Sequence, residues 1–249
     1  MDLLFDGRQA DQAEVDQEME SMLEDMRSQG VDLTQPIAVA EHLSFRTDFE
    51  AMRAGADLLL AGWPGVRTGG GGTATHLPTV IALYELMPTV DSLRAARQQL
   101  LGFAAARGGM VVADQEGGDS PFVRNDWKRG ESGVSEAELQ LGDQQLVDSL
   151  FAWDIDVKER VTLTSGIGLP SQEQARAAAA ELFLDSWPEV HVVQSEMMWV
   201  VETVTYVVAE AKALGETRRG LTNFAMQRGG SWLGFAFKAA APKQVEEES

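Results

Sequence analysis

The chain has 249 residues, 44% of them hydrophobic, which is enough to bury a sizeable core in one large domain or two of ordinary size. Its formal net charge of −19 repels phosphate, so it argues against direct nucleic-acid binding and favours a basic protein partner. The absence of cysteine excludes disulfides, catalytic thiols and cysteine metal sites. Residues 1–6 lack the features of a secretory signal, and Glu202 interrupts the apolar stretch 197–208, so we predict a cytoplasmic protein without a membrane span.

Residues 11–27 predict an acidic amphipathic helix that stops near Gly30. Its apolar face consists of Val15, Met19, Met22, Leu23 and Met26. Residues 1–33 hold ten acids against two bases, a net charge of −8. We expect the methionines to pack on the module beside the helix, and the alternative is that the helix is a docking surface for a basic peptide.

Strands and helices alternate in the next part of the chain. Residues 36–45 have the composition of a strand, and Thr47 and Glu50 form a capping box that starts a helix running to Gly62. The remaining predicted elements are a short strand from Val66 into the glycines 69–72, a buried strand at 79–86, a helix from Thr89 or Asp91 to Gly108-Gly109, and a strand at 110–113.

The chain then repeats this pattern. Segment 49–64, which ends in Trp-Pro, returns as 174–188, and the two Trp-Pro pairs lie 124 residues apart. Segment 103–109 returns as 224–230, at an offset of 121 residues. Nearly equal offsets indicate a duplicated module. The second copy is predicted as a strand at 157–164, a capping box at 171–174, strands at 190–193 and 199–208, a helix to Arg228, and a strand at 231–238.

Each copy has the order β-α-β-β-α-β, which predicts an α+β protein made of two ferredoxin-like modules. In such a module two helices cover one face of a four-stranded antiparallel sheet. The predicted segments are an acidic helix (1–35), a first module (36–113), a linker with a helix in its apolar half (114–156), a second module (157–241) and a disordered tail (242–249).

Several short motifs carry a resemblance to a known family. In the first module they are the acidic helix around residues 22–25, the strand end 40–44, the helix opening 48–50, the Gly62-Trp63 turn and the helix that ends before Gly108-Gly109. By the order and spacing of these motifs, the module resembles the RraB family, which regulates ribonuclease E activity. The resemblance implies an acidic ferredoxin-like protein that binds ribonuclease E and restrains its cleavage of RNA, with no chemistry of its own.

The second copy adds one motif and shows a departure. Residues 229–235, Gly-Gly-Ser-Trp-Leu-Gly-Phe, are similar to the closing Gly-Gly-x-Tyr-Asp-Gly-Trp pattern of the same family. In the first module Met110-Val111-Val112 stands in place of the aromatic element. The family's members of this kind carry one module, whereas this chain carries the module in tandem.

The chain offers little that resembles a catalytic or metal site. His42, His76 and His191 have no spacing that would bring two of them to one metal. The glycines 69–72 precede a strand and not a helix, so we interpret them as a flexible connection and not as a phosphate loop. Segment 165–168 lacks the third glycine of a nucleotide-binding fingerprint.

Charged residues within the predicted strands and linker are likewise not assigned to a catalytic site. Glu41, Glu85, Glu159 and Glu202 could act as acid and base if buried, but we expect solvation or cross-strand pairing. Segment 124–129 is locally basic and aromatic, so it is a candidate contact with a partner.

The sequence therefore predicts a non-enzymatic regulatory protein that binds a basic protein segment through its acidic helix and open sheet faces, with no cofactor and no metal. The alternative is a tandem α+β barrel that binds a small molecule or haem between its sheets and oxidises it in the manner of a monooxygenase. The candidate partner-binding residues are Glu18, Glu20, Glu24, Asp25, Glu41, Arg124 and Trp127.

Overall fold

The structure is a computed structural model that describes residues 12–69, 77–118, 127, 135–152, 160–195, 198–208 and 210–237. These residues form an α+β architecture with six helices and eight strands, and the strand pairs described within each unit are antiparallel. The chain divides into two compact units. The first consists of Met1–Ala54 and Thr68–Val123, and the second of Gly55–Arg67 and Arg124–Ser249.

The described elements follow one another in nearly the predicted order. Up to the linker they are α1 (Gln12–Ser28), β1 (Ile37–Ser44), α2 (Asp48–Ala61), β2 (Gly65–Gly69), β3 (Thr79–Leu86), α3 (Val90–Ala105) and β4 (Met110–Gly118). The elements after it are α4 (Glu136–Ala152), β5 (Arg160–Leu169), α5 (Gln172–Leu184), β6 (Glu189–Gln194), β7 (Trp199–Val208), α6 (Ala211–Met226) and β8 (Ser231–Phe237). Both α2 and β2 contribute residues to each unit.

In the first unit, β1 is the central strand. It pairs antiparallel with β3 on one side and with β4 on the other, and the pairing with β4 is irregular beside His42. All eight residues of β1 are buried, so both faces of this strand are covered. This corrects the expectation that the open sheet face of the first module is available to a partner.

The second unit is built around β5 and β7. Its strands follow the order β2-β6-β7-β5-β8, and each neighbouring pair is antiparallel. Helices α5 and α6 pack on the sheet, and α4 packs on α6. Leu163 of β5, Leu214 of α6 and Val147 of α4 meet in one buried apolar cluster. The helix predicted in the linker is therefore present, and it extends the hydrophobic core of this unit.

Side-chain caps start the helices where the sequence predicts them. Thr47 Oγ1 accepts a hydrogen bond from Glu50 N at 3.2 Å, and Glu50 Oε2 accepts one from Thr47 N at 3.1 Å. Thr89 caps α3 through Ser92, and Ser171 caps α5 by accepting from Gln174 N at 3.2 Å. Each cap satisfies a backbone amide that the first turn of a helix leaves without a partner.

The repeated segment Phe-x-x-x-Arg-Gly-Gly forms the same helix end in both copies. The Arg107 guanidinium lies 3.7 Å from the Phe103 ring centroid, and that of Arg228 lies 3.6 Å from the ring of Phe224. The following glycines, at positions 108 and 229, have φ of +71° and +70°, which side chains rarely adopt. In each copy the next amide closes the turn by donating to a carbonyl five residues earlier. The repeat therefore preserves a helix terminus.

Several boundaries differ from the predicted ones. β4 extends to Gly118, well past the predicted end at residue 113. Segment 165–168 lies inside β5, so these glycines belong to a strand.

Trp63 and Trp187 are only partly buried, so their packing contribution is smaller than that of fully buried rings. The predicted glycine connection at 70–72, residues 153–159 of the linker and the tail 242–249 lie outside the described residues.

None of the helices in the described ranges is both long enough and apolar enough to cross a membrane.

Two glycines on helices give a matched test of the packing of α2 against Phe183. A Cβ added at Gly55 would lie 2.2 Å from Cε1 of Phe183, a fully buried ring of the same unit. We expect Gly55→Ala to lower the free energy of unfolding by about 1 to 3 kcal/mol, because the buried ring must move. Urea denaturation monitored by circular dichroism measures this change.

Gly102→Ala is the control for the same chemical change. Gly102 is exposed on α3, and an added Cβ would meet nothing within 4 Å. Alanine favours a helix interior, so we expect a gain of about 0.5 to 1 kcal/mol. Equal effects of the two substitutions would contradict the packing of α2 against Phe183.

Candidate functional site

Helix α1 places its apolar residues inward and its acids outward. Met19 and Met26 are buried, and α1 packs on α3, as the methionine spacing predicts. The side chains of Glu20, Glu24 and Asp25 are all exposed. Glu18 lies in α1 as well, but its side chain is outside the described part. The predicted acidic face is therefore present on α1, and its docking role stays a prediction.

Glu41 lies in the interior. It is fully buried on β1, where the structure places it near the Tyr84 hydroxyl of β3. Burial raises the pKa of Tyr84, the Glu41 carboxylate raises it further, and the charge of Arg97 opposes both effects. The expectation that Glu41 is solvated at a contact surface is therefore wrong. Glu85, by contrast, is exposed, as expected.

Buried polar side chains form a row across the strands of the second unit. Glu202 of β7 lies directly opposite His191 of β6, and both are almost completely buried. His191 Nε2 lies 2.7 Å from Glu189 Oε1, and Trp127 Nε1 donates a hydrogen bond to Glu202 Oε1 at 2.5 Å. We call Trp127, Glu202, His191 and Glu189 the polar row. The expectation that Glu202 is solvated is therefore wrong, and the hydrogen bond described for its carboxylate comes from Trp127, which lies outside the strands.

Glycines explain how the polar row accommodates the Trp127 ring. A Cβ at Gly166 of β5 would lie 2.7 Å from Cδ2 of Trp127, and one at Gly234 of β8 would lie 3.7 Å from its Cζ3. Strand residues alternate faces, so Gly166 points away from the side of β5 on which Leu163 packs against α6. Trp127 therefore covers the face of β5 opposite to α6, and its indole N–H is already bonded within the chain. Arg124, its predicted companion, lies outside the described residues.

An arginine buried between α4 and α6 forms an ionic contact with two carboxylates in the second unit. Arg218 is 2% exposed, and its Nη2 lies 3.1 Å from Asp143 Oδ2 and 3.0 Å from Glu136 Oε1. Hydrogen bonds from Arg218 lower the pKa of Glu136 to about 2. Gly215 leaves room for this contact, because a Cβ there would lie 3.2 Å from Asp143 Oδ2. We call Arg218, Asp143 and Glu136 the arginine clamp.

A groove of about 360 Å³ opens beside the arginine clamp. Its apolar walls are Leu139 and Leu146 of α4 and Trp232 and Phe235 of β8. The two aromatic rings pack edge to face, with centroids 5.1 Å apart. This groove combines apolar walls with a few polar groups, which is the character of many binding sites.

The sequence did not indicate the arginine clamp. Arg218 and Asp143 are 75 residues apart, and neither lies in a recognisable motif. Only the packing of α4 on α6 brings them together. His42 is buried, and neither of its ring nitrogens has a hydrogen-bond partner among the described residues. His76 lies outside them. No group of three potential metal ligands is found in the described ranges.

Comparison of the chain with known protein families, with curated proteins and with solved structures finds no significant match. The function of this protein must therefore be inferred from its own side chains. Three features can serve as candidate sites: the acidic face of α1, the polar row of the second unit, and the groove between α4 and β8.

The arginine clamp can be tested by removing its cation. Arg218→Ala leaves the Asp143 carboxylate buried without its ionic partner, so we expect the free energy of unfolding to fall by about 3 to 5 kcal/mol. Urea denaturation measures this loss, and the midpoint should shift in proportion.

Arg219→Ala is the matched control. Arg219 contacts the same Glu136 at 3.3 Å, but it is about half exposed. Exposed ion pairs contribute little to stability, so this variant should unfold close to the unaltered protein. Similar midpoints for the two variants would contradict a buried role for Arg218.

Proposed function

We propose that this protein is a non-enzymatic regulator that binds a basic segment of another protein through the acidic face of α1. The observation that carries the proposal is the division of α1 into two faces: Met19 and Met26 are buried on the protein side, and Glu20, Glu24 and Asp25 face solvent. The burial of the methionines fixes the orientation of the helix. The exposed acids are therefore held as one surface and do not rotate away from a partner.

The charge of the whole chain supports the same class of partner. A net charge of −19 attracts cationic segments over distances of about a Debye length, which raises the rate of encounter. The same field disfavours direct contact with RNA. We infer a cytoplasmic regulator that acts on a protein and binds neither nucleic acid nor membrane.

We further infer that the chain contains two ferredoxin-like modules. The support is that the first strand of each copy, β1 or β5, lies between the third and fourth strands of the same copy. Both copies also end their second helix in the same Phe-Arg-Gly-Gly arrangement. With the motifs that resemble the RraB family, this makes ribonuclease E the partner that we propose to test first.

The buried charged groups already have partners in hydrogen bonds and ion pairs, which supports a role without catalysis. Arg218 is bonded to Asp143 and Glu136, and Glu202 accepts a hydrogen bond from Trp127. His191 is bonded to Glu189. Groups held in such pairs stabilise the fold, and a reaction at them would have to break these contacts first.

The α1 proposal predicts the effect of removing three charges. The variant Glu20→Gln, Glu24→Gln and Asp25→Asn should bind ribonuclease E from the same organism about tenfold more weakly, at roughly 0.5 kcal/mol for each exposed ion pair. The salt dependence of binding should become weaker as well, because fewer charges face the partner. Titration calorimetry at low and physiological salt measures both quantities.

The control changes the net charge equally at other exposed acids. Asp148→Asn, Glu173→Gln and Glu216→Gln lie on α4, α5 and α6 and should leave the affinity nearly unchanged. Equal weakening by both triple variants would show that only net charge matters. Absence of binding to ribonuclease E at low salt would exclude that partner.

A second function, binding of a small molecule or haem, is favoured by one specific observation. His191 and Glu202 lie side by side, buried in the sheet of the second unit. His42 is likewise buried in the first unit, with ring nitrogens that have no hydrogen-bond partner among the described residues. An imidazole in an apolar environment is a common ligand of haem iron and of polar groups on small molecules.

An absorption spectrum distinguishes this second function from the first. If the protein binds haem through a buried histidine, addition of haemin should produce a Soret band, and His42→Ala or His191→Ala should shift or abolish it. A spectrum equal to that of free haemin in all three proteins would exclude haem binding by these residues.

A further inference from the structure

The groove between α4 and β8 has the shape and chemistry of a peptide-binding site. Leu139 and Leu146 line it from the helix, and Trp232 and Phe235 line it from the strand. A volume of about 360 Å³ accommodates one or two large apolar side chains and is small for an independent domain contact. The groove is open to solvent and is not an enclosed cavity, so a peptide can enter it from outside.

Trp232 forms part of the aromatic wall of this groove and is partly buried. Its Nε1 is fully buried and has no acceptor among the described residues. The side chain therefore offers its ring to the groove as apolar surface, and aromatic rings of this kind contribute much of the energy of interfaces.

β8 also offers backbone groups to a peptide. It pairs with β5 on one side and is the last strand of the order described for the second unit. An edge strand presents alternating N–H and C=O groups away from its neighbour, and an extended peptide can pair with them. The bulge near Gly234 limits regular pairing to part of the strand.

The charge at the rim determines which peptide fits. Glu138 lines the groove and is exposed, and its carboxylate accepts hydrogen bonds from Ser135 N at 2.8 Å and Ser135 Oγ at 2.7 Å. These bonds lower the pKa of Glu138, so it stays ionised. Arg218 at the base is already bonded to Asp143 and Glu136. Within the described part of the chain, Glu138 has no cationic partner, and it therefore favours a lysine or arginine.

We propose that this groove binds an extended peptide segment in which a leucine or phenylalanine side chain enters between α4 and β8 and a neighbouring lysine or arginine pairs with Glu138. The proposal rests on the proposed function for the class of partner, a basic protein segment. It adds a second contact surface, on a different unit from the one that carries α1. Specificity would then come from the apolar anchor, since exposed charges alone discriminate poorly.

The test uses two synthetic peptides and the full chain. In the first peptide, lysines alternate with leucines around one phenylalanine; in the second, serine replaces every apolar residue and the charge is unchanged. Fluorescence anisotropy of the labelled peptides at physiological salt measures their affinity. We expect the first peptide to bind at least about tenfold more tightly, because a buried apolar anchor typically contributes more than 1 kcal/mol.

Two substitutions on the same helix locate the contact. Leu139→Ser removes an apolar wall of the groove, whereas Leu141→Ser changes an exposed leucine that does not line it. We expect the first to weaken binding about tenfold and the second to leave it unchanged. Glu138→Gln should weaken binding of both peptides by a smaller, salt-sensitive factor. Circular dichroism confirms that each variant is folded.

The outcomes separate this proposal from the one for α1. Equal peptide binding by the Leu139 and Leu141 variants, or equal affinity for the two peptides, would contradict the proposal that the groove binds the peptide. If the triple variant of Glu20, Glu24 and Asp25 loses peptide binding and Leu139→Ser keeps it, the result supports the α1 surface and contradicts the groove. If the triple variant binds the peptide normally and Leu139→Ser does not, the result supports the groove alone.

Discussion

The buried contact of Arg218 with Asp143 and Glu136 is the interaction on which the second unit depends most. It joins α6, which packs on the sheet, to α4, which precedes β5 in the chain. A buried guanidinium is costly unless carboxylates occupy nearly all its donors, so α4 can pack only where both acids reach it. The apolar cluster of Val147, Leu163 and Leu214 then closes beside it. The ionic contact thus selects one position of α4, and that position creates the groove.

The two repeated parts of the chain differ inside the sheet but share the same helix ends. At the offset of the Trp-Pro pairs, His42 corresponds to Gly166 and Glu41 corresponds to Ser165. In each copy the pairing with the last strand is irregular at this point, beside His42 or Gly166. The second copy uses the space above its glycine for Trp127. The first copy holds an imidazole at the same position, so the shared backbone carries different chemistry in the two sheets.

Local patterns predicted most of the secondary structure because the relevant contacts are short in sequence. The caps at Thr47 and Ser171 and the glycine ends at 108 and 229 depend on residues within one helical turn. The amphipathic pattern of α1 also predicted correctly that Met19 and Met26 are buried. The interpretation of strand acids was wrong for Glu41, because alternation along a strand does not reveal whether the second face of a sheet is covered.

By itself, the sequence determined the α+β class, the order of the elements, the orientation of α1 and the acidic character of its exposed face. The tertiary structure alone decided which distant groups meet: Trp127 with Glu202, Arg218 with Asp143, and Leu139 with Trp232 across a groove. The physical reason is that periodicity and capping report interactions within a turn or along a strand. Contacts across 75 residues arise only when packing of the core places two elements side by side.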